Sequence, residues 1–133
     1  MDDEIQRAAE RTVVMAASPS GNELDYSERS LAKLEEMLAE ASDFLAEMTP
    51  DQQTMLVQDF GSYILEVGRR EFGGRYLGHD EREQPVLVVG EPNFHVALLH
   101  WDKVRGRLNG DASDNIPFFY EGFASRARRA EPG

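Results

Sequence analysis

Glu66 stands three residues before Arg69 and four before Arg70 in the stretch YILEVGRREFGGRY. At helical spacing those offsets bring one carboxylate within reach of two guanidinium groups. Such a cluster has two uses. It can satisfy a carboxylate buried among apolar residues, which needs a partner there. It can also line a pocket, with Arg69 and Arg70, and Arg75 beyond them, offering forked donors to an anion. A solvated basic cluster is the plain alternative. Tyr63 precedes Glu66 by one turn, and His95 falls on a strand predicted to return beside the same helix. Tyr63, Glu66, Arg69, Arg70 and His95 are therefore the candidate ligand-binding residues, in a pocket between a helix and a sheet.

Other chemistry finds less support. Glu36, Glu40, Asp43 and Glu47 recur at steps of four, three and four, so they share a helical face. Carboxylates so placed can hold magnesium, as in all-helical nucleotide pyrophosphatases. Those enzymes use two adjacent glutamates with a third three residues later. Here Glu35 and Glu36 are followed by Ala39, and the row reads as the solvated face opposite a leucine seam. Of the histidines, His95 and His100 are five apart and point to opposite faces of an unbroken strand, and His79 sits apart from both. A zinc site needs convergent ligands, which this spacing does not impose. No GxSxG elbow occurs, and Gly73-Gly74 follows a helix where a phosphate cradle precedes one. No catalytic residue, metal or cofactor is expected, and an enzymatic role is left open without a site to carry it.

The elements that must position these residues are readable from periodicity. A first helix is predicted over about 2–17, where Ile5, Ala8, Ala9, Thr12, Val13 and Ala16 make a narrow face of small residues. Ser18 to Asn22 break it. A second helix is predicted over about 26–48. Either Ser27 caps it, with Tyr26 and Leu31 as a hydrophobic staple, or Asp25 does, with Glu28 in a capping box. Leu31, Leu34, Leu38, Ala41, Leu45 and Met48 form its seam. Thr49-Pro50-Asp51-Gln52 is a start signal for a third helix over about 50–72, antiparallel to the second across a short connection.

That third helix carries glycine at 61 and 68, two turns apart on one face. Each costs about 1 kcal/mol of helix propensity relative to alanine. The reading is that another backbone approaches closely there. Gly73 and Gly74 are placed to end the helix and turn the chain into a sheet. Strands are predicted over about 75–78, 86–90 and 94–99, joined by turns, with the β-branched run at Val86–Val89 buried. Helices over about 101–108 and 114–129 complete the order. Ile116, Phe119, Tyr120 and Phe123 form the apolar face of the last, and Arg126, Arg128 and Arg129 suit its C-terminal dipole. Helices, then a three-stranded antiparallel sheet, then helices define an α+β fold.

The chain has 133 residues, the size of one domain, with 41% hydrophobic and 29% charged residues. No apolar run reaches membrane-spanning length, so no membrane partner is expected. The acidic N-terminus lacks a secretory pattern and there are no cysteines, so cytoplasmic residence is expected. Net charge is −11. Residues 1–60 hold 14 acids and 4 bases, a net of −10, and residues 61–133 hold 11 acids and 10 bases, a net of −1. The acidic half repels a phosphate backbone, which argues against nucleic acid; it can attract a basic protein as partner, and the plain alternative is that it only keeps a small protein soluble.

LDYSERSLAKLEEML from Leu24, FGSYILEVGRREFGGRY from Phe60 and the later HWDKVRGRL together resemble a family of small bacterial domains without an assigned activity. Its core signature is G-x-Y-x-x-E-V-x-x-R closed by Gly-Gly and an aromatic. The resemblance spans about Leu24 to Phe123. Leu65 stands where a second small residue is expected, and Tyr76 where tryptophan is common. It implies the same fold outline and no activity. Two functions are expected from the residues: a non-enzymatic protein-binding domain, immunity-like or regulatory, or a small-molecule or anion-binding domain with a pocket between helix 50–72 and the sheet.

Overall fold

The computed structural model describes residues 2–17, 23–79, 84–94, 96–99, 101–111 and 115–130. At its centre is the glycine-bearing helix, here α3 (Pro50–Phe72). Its start is fixed by a complete capping box. The Thr49 side chain accepts from the Gln52 N–H at 3.1 Å, and the Thr49 N–H donates to Gln52 Oε1 at 2.9 Å. Pro50 takes the first helical position, where no intrahelical donor is needed. Every residue from Asp59 to Gly68 is buried. A helix hidden on all sides needs cover on all sides, and neighbours from before and after it in the chain supply it.

Helix α1 (Asp2–Ala16) gives α3 its most extensive helical partner. Ile5, Ala8, Ala9 and Thr12 are its buried residues, and small side chains let the two axes come close. The Thr12 hydroxyl, fully buried, donates to the Ala8 carbonyl at 3.2 Å.

Helix α2 is shorter than the predicted 26–48. It runs Leu31–Asp43, between one-turn 3-10 segments at Glu28–Ser30 and Leu45–Glu47. Of the two possible caps, Ser27 holds the first 3-10 turn, accepting from the Ser30 N–H at 3.2 Å. Asp25 instead accepts from the Ser27 N–H and hydroxyl at 3.1 and 2.6 Å. Packing explains the early end. Leu31, Leu34 and Leu38 are fully buried, but Ala41, Leu45 and Met48 only partly, so the seam stops gaining burial after Leu38. Phe44 then leaves helical geometry at φ −110°, ψ 14°. The seam packs chiefly on α4 (Trp101–Leu108) and α5 (Ile116–Ala130).

Strands β1 (Arg75–His79), β2 (Gln84–Val89) and β3 (Val96–Leu98) form an antiparallel sheet in that order. Tyr76, Leu87 and Leu98 align across it, so they share one face. That face lies on α3: at Gly68 an added Cβ would sit 2.9 Å from Leu87 Cδ2 and 3.1 Å from Leu98 Cδ2. At Gly61 it would sit 2.6 Å from Trp101 Cδ1. The expectation of backbone approach is thus corrected. Large side chains, the Trp101 indole and the two leucines, occupy the room the glycines leave. Gly74 does meet backbone: with φ +93°, a Cβ there would lie 2.3 Å from the Val88 carbonyl oxygen.

Strand β3 is shorter than the predicted 94–99. Phe94 belongs to the preceding turn, where its N–H and that of Asn93 both donate to the Gly90 carbonyl at 3.0 Å. Its ring lies so close over Gly90 (φ +94°) that no Cβ fits between. Helix α5 starts where Asn115 Oδ1 accepts from the Phe118 N–H at 3.0 Å.

Candidate functional site

The Glu66 carboxylate is 1% exposed and lies at the junction of α3 and β1. Arg69 grips both its oxygens, Nε to Oε2 at 2.6 Å and Nη2 to Oε1 at 2.8 Å. Arg70 Nε approaches Oε1 at 3.5 Å, and the Tyr76 hydroxyl donates to Oε2. Burial pushes the Glu66 carboxyl up. The hydrogen bonds from Arg69, Tyr76 and Arg70 and the Arg69 charge outweigh it and hold it below the ordinary carboxylate value. The same bond raises Arg69. Tyr76 is raised by burial first and by the neighbouring Glu66 second.

Tyr63 faces a different neighbourhood. Its hydroxyl accepts from the Tyr26 N–H at 2.9 Å and lies 2.5 Å from Ser30 Oγ. The Ser30 hydroxyl proton goes to the Ser27 carbonyl at 2.6 Å, so Tyr63 is the donor to Ser30. Tyr26 stacks on Tyr63 with centroids 5.0 Å apart, and the Arg70 guanidinium lies 3.5 Å above the Tyr26 ring. These contacts hold Tyr26 at φ 65°, a conformation unusual for a residue with a side chain.

Two further clusters extend the polar frame. Arg128 of α5 donates to Glu28 at 2.8 Å and to Glu71 at 2.6 Å, with the Tyr120 hydroxyl 3.4 Å from Glu71. Tyr26, Ser27, Glu28, Arg70, Glu71 and Arg128 line an open cleft of about 340 Å³. Its two acids and two bases balance. Glu35, the second cluster, joins three helices. Arg107 of α4 donates to Oε2, and the Ile116 N–H at the start of α5 donates to Oε1 at 3.0 Å.

The sequence-predicted residues therefore divide. Glu66, Arg69 and Arg70 come together, and Tyr63 joins them through Tyr26. His95 lies outside the described residues. The three arginines that could line an anion pocket, Arg69, Arg70 and Arg75, each pair with a carboxylate. Arg69 and Arg70 are held by Glu66, and Arg75 pairs with Glu91 at 2.7 and 3.1 Å. A cleft of about 530 Å³ does lie between the end of α3 and the sheet, but none of Tyr63, Glu66, Arg69 or Arg70 lines it. Sequence reasoning missed Glu35 and Arg128. Glu35 carried a signal, since it stands four residues after Leu31 and three before Leu38, on the buried side of α2.

The acidic row behaves otherwise. Glu36, Glu40, Asp43 and Glu47 are all exposed, and Phe44 among them is 59% exposed. Lys33 approaches Glu36 at 3.9 Å. Among the described residues no cation lies within ion-pair distance of Glu40, Asp43 or Glu47. No group of three acids or histidines among the described residues converges as a metal site needs. No described helix is long and apolar enough to cross a membrane. Compared with protein-family models, curated proteins and solved structures, the chain matches none.

Proposed function

We propose that this chain is a non-enzymatic binding domain of the bacterial cytoplasm. It engages a basic protein through the outer side of the end of α2 and the 3-10 turn that follows, in the manner of an immunity or regulatory protein. The observation that carries this reading is the exposed row Glu40, Asp43 and Glu47 around exposed Phe44. The other charged clusters described above are internally paired. This row is not, and its field favours a cationic surface while repelling a phosphate backbone. Phe44 supplies an aromatic face onto which an arginine or lysine of the partner can settle. The alternative of an anion-binding pocket loses support because its arginines are already held by carboxylates.

The test uses the chain with Glu40, Asp43 and Glu47 each changed to Lys beside the unchanged chain. Both are used for capture from a bacterial lysate and for titration against a recovered basic protein. Capture lost above about 0.3 M salt and abolished by the charge reversal supports the reading, because exposed charges are screened within a few ångströms there. Recovery of no basic protein at low salt, or capture indifferent to the reversal, overturns it.

A further inference from the structure

The two edges of the sheet differ. Helix α5 packs on β3, whereas β1 has comparable contact only with β2. The register between β1 and β2 decides which backbone groups of β1 are left over. Gly78 stands opposite Pro85, which has no N–H to give, so these two do not exchange hydrogen bonds. By alternation the backbones of Arg75, Leu77 and His79 bond to β2, and the N–H and C=O of Tyr76 and Gly78 point away from it. Among the described residues no other group is hydrogen-bonded to that outward backbone. Natural sheets guard such an edge with lysine, proline, a bulge or a covering element. Strand β1 contains neither lysine nor proline, its register against β2 is continuous, and Gly78 is exposed.

We infer that β1 pairs antiparallel with β1 of a second copy, joining the two sheets edge to edge. Symmetry selects this occupant over another extended chain. The outward groups belong to residues 76 and 78, placed evenly about Leu77. A two-fold axis at Leu77 sets Tyr76 of each copy opposite Gly78 of the other. Each such pair exchanges two N–H···O=C bonds, so every outward group of residues 76 and 78 gains a partner. Gly78 has no side chain and leaves room beside the Tyr76 ring, on the face turned to α3. On the opposite face half-buried Leu77, beside buried Val86, meets Leu77 of the second copy in the closer kind of cross-strand pair. Charge permits the approach. Residues 61–133 carry a net of −1 against −10 for residues 1–60, so the edge belongs to the nearly neutral part of the chain. Arg75 is neutralised by Glu91 and stays so.

The test is sedimentation equilibrium of the full chain from about 10 µM to about 1 mM, the range of weak association. A reversible monomer–dimer equilibrium is expected, with hydrogen exchange at the Tyr76 and Gly78 amides slowing as concentration rises. Leu77→Lys and Leu77→Glu each put like charges directly opposite and should weaken the dimer at least about tenfold. An equimolar mixture of the two should restore it, because opposite charges then face each other. Gly78→Pro removes an outward N–H that β2 does not use. It should weaken the dimer with unchanged circular dichroism. A chain that stays monomeric throughout, or exchange at both amides indifferent to concentration, overturns the inference without recourse to any variant. So does a dimer unmoved by either Leu77 substitution, a mixture that fails to associate, or an edge that takes up an extended peptide while the chain stays monomeric. None of these outcomes bears on the acidic row, whose charge reversal leaves β1 unchanged.

Discussion

The Tyr76 hydroxyl of β1 donates to the Glu66 carboxylate of α3, ten residues earlier in the chain. It fastens the sheet to the central helix at a buried point, on a carboxylate that the Arg69 fork holds in place within α3. Removing the carboxylate leaves the Tyr76 hydroxyl, itself buried, without its acceptor. Glu66→Ala should therefore cost about 3 kcal/mol in urea unfolding at pH 7. The sign of the pH dependence follows from the lowered Glu66 value. Its contribution is complete above the unfolded value near 4.5 and is lost as pH falls through the folded value. Urea midpoints between pH 6 and pH 3 should drop less steeply in Glu66→Gln than in the unchanged chain. An equal drop would show that other carboxylates set the acid limb.

Gly61 and Gly68 should respond differently to alanine. At 61 the new Cβ meets the rigid Trp101 indole at 2.6 Å. Overpacking of that kind costs about 1–3 kcal/mol, against about 1 kcal/mol of helix propensity gained. At 68 the nearest atoms are methyl ends of Leu87 and Leu98, which can rotate away. Gly61→Ala should be destabilised and Gly68→Ala should stay within about 1 kcal/mol of the parent. Trp101 is the sole tryptophan, so its emission should move in Gly61→Ala and not in Gly68→Ala.

Glu35 holds the start of α5 to α2 and α4. Glu35→Ala removes the acceptor of the Ile116 N–H and leaves Arg107, whose side chain is 16% exposed, without its carboxylate. A loss of about 2–3 kcal/mol is expected, combining a helix-start contact with a largely buried charge. Hydrogen exchange should accelerate first in the opening turn of α5. Uniform acceleration across the chain would mean that the contact is not local in effect.

All four tyrosines are held protonated. Burial raises Tyr63, Tyr76, Tyr120 and Tyr26 above their ordinary value of 10.0, and Glu66 adds to this at Tyr76 and Glu71 at Tyr120. At pH 10 an unfolded chain has about half its tyrosines ionised. The folded chain should show little of that absorbance near 295 nm until it unfolds. Since the folded values are raised, their stabilising contribution is complete below pH 10 and lost above it.

Local signals in the sequence reached the frame of α3 well. Thr49, Pro50 and Gln52 set its start, and Gly73-Gly74 its end, because caps and turns depend on neighbours in the chain. The Glu66 cluster was legible for the same reason, being pairs at three and four residues. The length of α2 was not, since its leucine period continues past the point where α4 and α5 stop covering it. Nor were the long-range ties: Arg107 to Glu35 spans 72 residues and Arg11 to Asp59 spans 48. No periodicity encodes which of twelve arginines meets which acid. The filling of Gly61 by Trp101 was hidden likewise, as a glycine says that room exists and not what takes it.

Arg128 reaches back 100 residues to Glu28 and 57 to Glu71. During synthesis the ribosome must emit all of that intervening chain before this clasp can close. At ordinary elongation rates of roughly 5–20 residues per second, α3 waits several seconds for the helix that neutralises Glu71. Until then Glu28 and Glu71 lack the Arg128 guanidinium that bridges them in the folded chain.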